Sequence, residues 1–346
     1  MKLSIKQKYI PITATIAVTV LLYLIAALRF PGVLSMGVLL NLFYDNSFLG
    51  ICAVGMTFVI LTGGIDLSVG GVVACTSIAI AVLVRDCQMH PALAALFLMV
   101  VGVLYGVFIG CLIHFFDIPP FLATLAGYFF ARGFCFVLSV DSIPINHPFL
   151  INVSNFSIPI GDGNLAAPGI IFLLVLFTGM FIAGRTRFGR AVYAVGGNLQ
   201  SANLMGLESG KTLIKVYAFS GFCSTLAGAV YALYTFSGNG WAASGMELDT
   251  IAAVVMGGTL LTGGVGSVLG TLFGVLIYGI IQTYITFDGT LSAWWTKIVI
   301  GLLLFTFILL QRFLSQTSRL TAKAPTVSFK IPKEEQTISQ SIEVNR

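Results

Sequence analysis

The residues able to do chemistry are few, and their spacing excludes most reactions. Asp66 and Ser68 stand two apart in LTGGIDLSVGG, where an apolar run breaks and then resumes. Glu247 and Asp249 open another apolar run in GMELDTIAAVV, and Lys297 follows Trp294 and Trp295. A hydrolase would need G-x-S-x-G with a histidine, or H-E-x-x-H, and neither occurs. Cys52, Cys75, Cys87, Cys111, Cys135 and Cys223 include no C-x-x-C pair, and His90, His114 and His147 are too scattered for zinc. No metal site or cofactor is expected. Ser209-Gly210-Lys211-Thr212 has the ending of a phosphate-binding loop, but the first glycine of that motif would stand at Met205, and no strand precedes it. The chain is therefore expected to hold no nucleotide and not to be an enzyme.

Around these residues the chain is mostly apolar: 57% of it is hydrophobic and 9% charged, against roughly 25% charged in a soluble domain. Stretches of about twenty apolar residues match a hydrocarbon core of roughly 30 Å at 1.5 Å of helix rise per residue. The expected fold is all-α, a polytopic membrane helix bundle. Its spans fall near 9–28, 45–61, 68–84, 91–113, 119–139, 166–184, 213–236, 250–262, 267–286 and 294–312, about ten in all. The runs lack the ten-residue alternation of an outer-membrane barrel.

The net charge of +5 sits in loops and tails, which points to topology and lipid headgroups rather than to nucleic acid. Lys2, Lys6 and Lys8 precede the first span, which is longer than a signal-peptide core and lacks a clean A-x-A site. It reads as an uncleaved anchor with the N-terminus in the cytoplasm. Parity then places the loop 140–165, with Asp141 and Asp162 but no Lys or Arg, outside. It places the loop 185–212, with Arg185, Arg187, Arg190 and Lys211, inside, together with the C-terminal tail. Residues 1–312 are expected to be the transmembrane domain, and 313–346, polar with Pro325 and Pro332, a disordered cytoplasmic tail.

An Asp at the bilayer centre costs about 2.5 to 3.5 kcal/mol, so Asp66 must be paired, solvated by a cavity, or placed at a helix end. Two readings stay open: a discontinuous helix whose end, with Asp66 and Ser68, faces a solute path, or a plain helix cap in a short loop. Asp249 is expected to cap the eighth span in the same way and joins Asp66 and Ser68 as a pathway candidate, with Glu247 at the outer rim, and Lys297 is expected to snorkel outward past its tryptophans. Gly102, Gly106 and Gly110 form one stripe of helix-packing glycines, and Gly266, Gly270 and Gly274 another. An internal echo joins AVGMTFVILTGG (Ala53 to Gly64) to AVVMGGTLLTGG (Ala253 to Gly264). Duplicated halves are frequent in transporters, so the echo points to an internal duplication and to movement of a solute; the span count gives both copies the same orientation, which leaves open a miscounted span or a merely convergent helix end.

Three longer blocks carry a family resemblance: GMTFVILTGGIDLSVG (Gly55 to Gly70), TRFGRAVYAVGGNLQSANLMGL (Thr186 to Leu207) and ELDTIAAVVMGGTLLTGGVGSVLGTLFGV (Glu247 to Val275). Together they make residues 9–312 similar to the permease subunits of bacterial ribose-type ATP-binding-cassette sugar importers. SIPINHP, SANLMG and TYITFDGTLSAWWTKI narrow the likeness to galactofuranose importers. The resemblance implies a multi-pass protein of the bacterial inner membrane, with both termini cytoplasmic. It implies three partners: a cytoplasmic ATPase, a second permease subunit that is either a paralogue or another copy, and a periplasmic sugar-binding protein. It also implies alternating access with weak sugar binding in the permease itself. The rival is an ion-coupled secondary transporter, for which Asp66 and Lys297 are too few to form a relay.

With an ATPase implied, the inside loop from Arg187 to Gly206 is the expected docking element. Arg187, Phe188, Gly189 and Arg190 lead into a short helix over Arg190 to Val195, and Gly196-Gly197-Asn198 breaks the chain. A second short helix, capped by Ser201 and stopped by Gly206, carries Asn203, Leu204 and Met205.

Overall fold

The computed structural model describes residues 2–292 and 294–321. Two compact units divide after Ile308. The first holds the bundle described below; of the second, Leu309–Arg346, only helical residues as far as Thr321 are described. The rest of the expected tail, 322–346, lies outside the described residues.

Fourteen α-helices follow one another among the described residues. The chain opens with α1 (Lys2–Arg29), α2 (Met36–Asp45), α3 (Ser47–Leu61), α4 (Val69–Arg85), α5 (Pro91–Phe115) and α6 (Pro120–Leu138). It continues with α7 (Pro148–Asn155), α8 (Ala167–Arg185), α9 (Arg187–Gly197), α10 (Leu199–Leu204) and α11 (Ser209–Thr235). Last come α12 (Met246–Met256), α13 (Val268–Asp288) and α14 (Trp294–Thr321). Six are long and apolar enough to cross a bilayer, or seven if α2 and α3, bent by 57°, form one span. Proline in the first turn opens α5, α6, α7 and α8, where its missing N–H leaves no intrahelical bond unmade. Two antiparallel ribbons, β1 (Ile143–Pro144) with β4 (Ser237–Gly238) and β2 (Ser157–Ile160) with β3 (Gly163–Ala166), lie in the connections. Reading for apolar runs passes over these short pieces, and over α2 and α7.

The core is built around α3, which is apolar on every side and buries all its residues but Phe48. It packs against α8, α11, α12 and α13. Glycine sets the approach of α5 to α11: a β-carbon at Gly106 would lie 2.2 Å from the Tyr217 carbonyl oxygen, and one at Gly110 2.8 Å from Ile214 Cα. At Gly102 it would meet Thr225 Oγ1 at 1.8 Å. Gly270 and Gly274 bring α13 equally close to Gly257 and Ala253. Gly266, expected on that second stripe, is not on the helix. It precedes α13, in extended backbone against Thr259.

The eighth span also differs from expectation. Instead of running from 250 to 262, α12 starts at Met246, ends at Met256, and gives way to an unwound segment, 257–267. Gly257-Gly258 stops it, with Gly258 at a φ of 89°, which a β-carbon disfavours. The segment 62–68 after α3 is unwound in the same way. The two breaks, which end the two copies of the LTGG echo, touch each other. The Gly264 N–H donates to the Leu61 carbonyl at 2.9 Å, and a β-carbon at Gly263 would lie 2.8 Å from Gly63 N. The end of α9 closes over this junction: a β-carbon at Gly196 would stand 1.7 Å from Leu61 O, whereas one at Gly197 would meet nothing within 4 Å.

Those neighbouring glycines make a paired test. Gly196→Ala should destabilise the purified chain by about 1 to 3 kcal/mol, because backbone must move to admit the methyl. Gly197→Ala, in open space on a helix, should be neutral or stabilise by up to about 1 kcal/mol. Thermal melts in one detergent compare them, and equal effects would contradict the packing described.

Candidate functional site

Polar side chains gather in one place in this apolar bundle. Asn46, between α2 and α3, donates from Nδ2 to the Leu42 carbonyl at 2.9 Å, and the chain bends there. The bend opens a cavity of about 560 Å³ whose walls come from α2, α11, α13 and the first turn of α14. A second chamber of about 220 Å³ adjoins it, reaching α12. Asp45, Asn46, Phe48, Tyr278 and Gln282 line both. Aromatic rings contribute to the lining: Phe48 lies 5.7 Å from Tyr234 and 5.2 Å from Tyr231, between ring centres. The Tyr234 hydroxyl donates to Asp45 at 3.2 Å.

An ion pair joins the chambers. Lys297, on the wall of the larger, donates to the Asp249 carboxylate, on the wall of the smaller, and the Tyr278 hydroxyl donates to the same oxygen at 3.1 Å. Both residues differ from expectation. Asp249 is not the cap of α12, a position held by Gly245 with no side-chain bond. Lys297 pairs with Asp249 instead of snorkelling outward, since a carboxylate within reach gives a charge-assisted bond.

Asp66 lies elsewhere, 4% exposed and outside both chambers. One carboxylate oxygen accepts from the Ser68 N–H at 2.9 Å and the Ser68 hydroxyl at 2.6 Å; the other accepts from the Ser220 hydroxyl of α11 at 2.7 Å. No cation faces it among the described ion pairs. Geometrically Asp66 is a bracket that starts α4 and ties it to α11, and Ser68 is part of that bracket. Thus the structure brings Asp249 to the cavity and leaves Asp66 and Ser68 in packed interior.

The sequence reading missed Arg132 on α6. Its guanidinium, 9% exposed, donates to the carbonyls of Gly240 and Ala242 at 2.7 Å each and sits over the Tyr128 ring. It holds the loop leading into α12. The signal was present, since an arginine inside FLATLAGYFFARGFCFVL is costly unless it has partners within the bundle. Asn41 and Gln282 were missed too, as single amides in apolar runs.

The loop between α8 and α11 forms two helices. Thr186 caps α9 by accepting from the Gly189 N–H at 3.1 Å. Gly189, Val192 and Val195 turn inward, and Phe188 stacks on Phe58 at 6.0 Å, leaving Arg187 and Arg190 exposed. The cap of α10 is Asn198, accepting from the Ser201 N–H at 2.8 Å, and not Ser201 as expected. Gly206 takes a φ of 78° just after α10, beside exposed Asn203. Leu204 and Met205 are 89% and 70% exposed. Tyr193 of α9 donates to the Gly266 carbonyl at 3.0 Å, so this loop is bonded to the second break.

Comparison with known proteins gives three consistent findings. The family described as "Branched-chain amino acid transport system / permease component" matches residues 38–308. The chain is 54% identical over 310 residues, 89% of its length and 94% of the relative's, to the inner membrane ABC transporter permease protein YjfF of Escherichia coli (strain K12). It is 35% identical over 322 residues to the fructose import permease protein FruG of Bifidobacterium longum (strain NCC 2705), covering 88% and 92% of the two chains. It is also 35% identical over 282 residues to the ribose import permease protein RbsC of Escherichia coli (strain K12), covering 80% and 86%. No solved structure matches the chain significantly.

The bracket predicts how Asp66 responds to change. In Asp66→Asn the amide oxygen still accepts from Ser68 and the amide nitrogen can donate to Ser220, so thermal stability and transport should stay near wild type. Asp66→Ala loses all three bonds and leaves Ser220 buried without its acceptor, a cost of about 1 to 3 kcal/mol per unmet group. Loss of transport in Asp66→Asn at unchanged stability would put the charge back on the solute path.

Proposed function

The chain belongs to the branched-chain amino acid transport system permease component family, and from that premise we propose that it is the permease of an ATP-binding-cassette importer for a monosaccharide. The observation that carries this reading is the cavity between α2, α11, α13 and α14. Its wall carries amide, hydroxyl and aromatic groups with the Asp45 carboxylate among them, and its lysine is paired with Asp249. Such a lining suits a neutral, hydroxyl-rich solute better than the apolar side chain of a branched amino acid. Relatives named for fructose and ribose import support the same solute class. Galactofuranose is the sugar favoured by the resemblance in SIPINHP, SANLMG and TYITFDGTLSAWWTKI.

In this reading the protein is a multi-pass inner-membrane subunit without catalysis of its own, working with an ATPase, a second permease and a periplasmic sugar-binding protein. The shorter α4 and α12 and the helix α14 count as spans beside the six long ones, which gives ten with α2 and α3 taken together, and both termini are cytoplasmic. Residues 313–346 are a cytoplasmic tail. The two LTGG breaks are the matching ends of duplicated halves. The cavity then opens in the outer half of the bundle, near the end of α11 and the start of α14. Vesicles holding the complete complex should take up sugar with ATP, insensitive to proton uncouplers. Vesicles holding this chain alone should take up none, and ion-driven uptake by the lone chain would favour the secondary transporter instead.

The ATPase docks on α9 and α10. Exposed Leu204 and Met205 beside Arg187 and Arg190 offer an apolar tip with a basic flank, suited to a groove on a soluble partner. If the arginines serve only topology, changing Leu204 and Met205 together to Asp should leave the ATPase co-purifying. If the tip is buried on docking, two unpaired carboxylates in the groove cost several kcal/mol, and co-purification and uptake should both vanish.

A further inference from the structure

In the family-based expectation a permease holds sugar weakly and leaves selection to the binding protein. The cavity points the other way. Asn41 on α2 and Gln282 on α13 open into it, and neither side-chain amide has a protein partner among the described hydrogen bonds. Asp45 is exposed at the bend, and the only hydrogen bond described to it comes from Tyr234. Polar groups of this kind on helices of an apolar bundle cannot face lipid without cost. They are too many, and too differently placed, for a single structural purpose such as a cap.

The cavity supplies what a sugar needs on both of its faces. Ring hydroxyls require fixed donors and acceptors, which Asn41, Asp45 and Gln282 offer on one side. Lys297 completes that set as a donor held in place by Asp249. The C–H face of a sugar packs on aromatic surface, which the Tyr234 and Phe48 rings of the lining supply. The volume of about 560 Å³ falls within the roughly 300 to 1,000 Å³ typical of small-molecule sites. The larger chamber also adjoins the smaller one, and the two share Tyr278 and Gln282 in their walls.

We propose that this chain carries its own monosaccharide site in that cavity, with Asn41, Asp45 and Gln282 as the residues that select the solute and the Lys297–Asp249 pair as its fixed polar floor. Selection then happens twice, once in the binding protein and again in the permease. This rests on the permease reading above.

Saturation-transfer NMR on the full-length chain in lipid nanodiscs, with D-ribose, D-fructose and D-galactose as probes and L-leucine as control, tests the site directly. At least one sugar should give a signal, leucine none, and Asn41→Leu and Gln282→Leu should each reduce the sugar signal at least tenfold at an unchanged elution volume. Gln282→Asn, which keeps an amide, should retain a measurable signal. Absence of any sugar signal, or a signal the same in both leucine variants, overturns the site. Uptake by the complete complex separates the two levels. Unchanged KM and rate in both variants would remove the site while leaving the permease in place, whereas no uptake of any sugar would remove the permease reading and leave the NMR result to decide the site alone.

Discussion

Backbone that leaves the helix inside an apolar bundle must find every hydrogen bond within the protein, because lipid offers none. The two unwound segments meet that demand through groups from other elements. The Ile65 carbonyl accepts from Thr124 of α6, the Gly266 carbonyl from Tyr193 of α9, and the Leu61 carbonyl from the Gly264 N–H across the junction. Asp66 answers for the start of α4 and reaches across to Ser220. Five helices are thereby fixed to two short loops. The arrangement explains the glycines, since Gly196, Gly263 and Gly264 permit contacts that a β-carbon would forbid, and Gly63 takes a φ of 82°.

The same junction gives the loop between α8 and α11 mechanical access to the bundle. The end of α9 touches both breaks, through Gly196 at Leu61 and through Tyr193 at Gly266. A displacement of α9 would therefore be felt by α3 and α4 through one break and by α12 and α13 through the other. Beyond the breaks, α13 forms one wall of the polar cavity and α12 reaches the smaller chamber through Asp249. A contiguous path of packed backbone thus runs from the exposed tip at Leu204 to the chambers, with no long flexible segment in it.

Charge is arranged around the start of α12. Glu247 and Asp249 both lie in its first turn, where the helix dipole favours anions. Asp249 turns toward Lys297 on α14, while Glu247 turns toward Gly70 on α4, beside which Arg132 binds the preceding loop. One turn of helix therefore links α4, α6 and α14.

Composition and apolar periodicity determined that the protein is a membrane helix bundle, because burying the peptide group in hydrocarbon leaves a chain with 9% charge few other folds. The ends of α4, α5, α6 and α8 were legible within a few residues, since proline, charge and polar turns mark them locally. The breaks were visible as LTGG repeats, and Asp66 as a charge needing a partner. Which charge faces a cavity was not legible. Asp66 and Asp249 look alike in sequence, each just ahead of an apolar run, yet one is closed in by Ser68 and Ser220 and the other opens toward Lys297. That choice depends on which helices lie beside them, a matter of packing between residues 154 and 48 positions apart. The same holds for Arg132, whose partners are carbonyls more than a hundred residues away. A backbone acceptor has no identity in sequence, so only the tertiary structure could supply it.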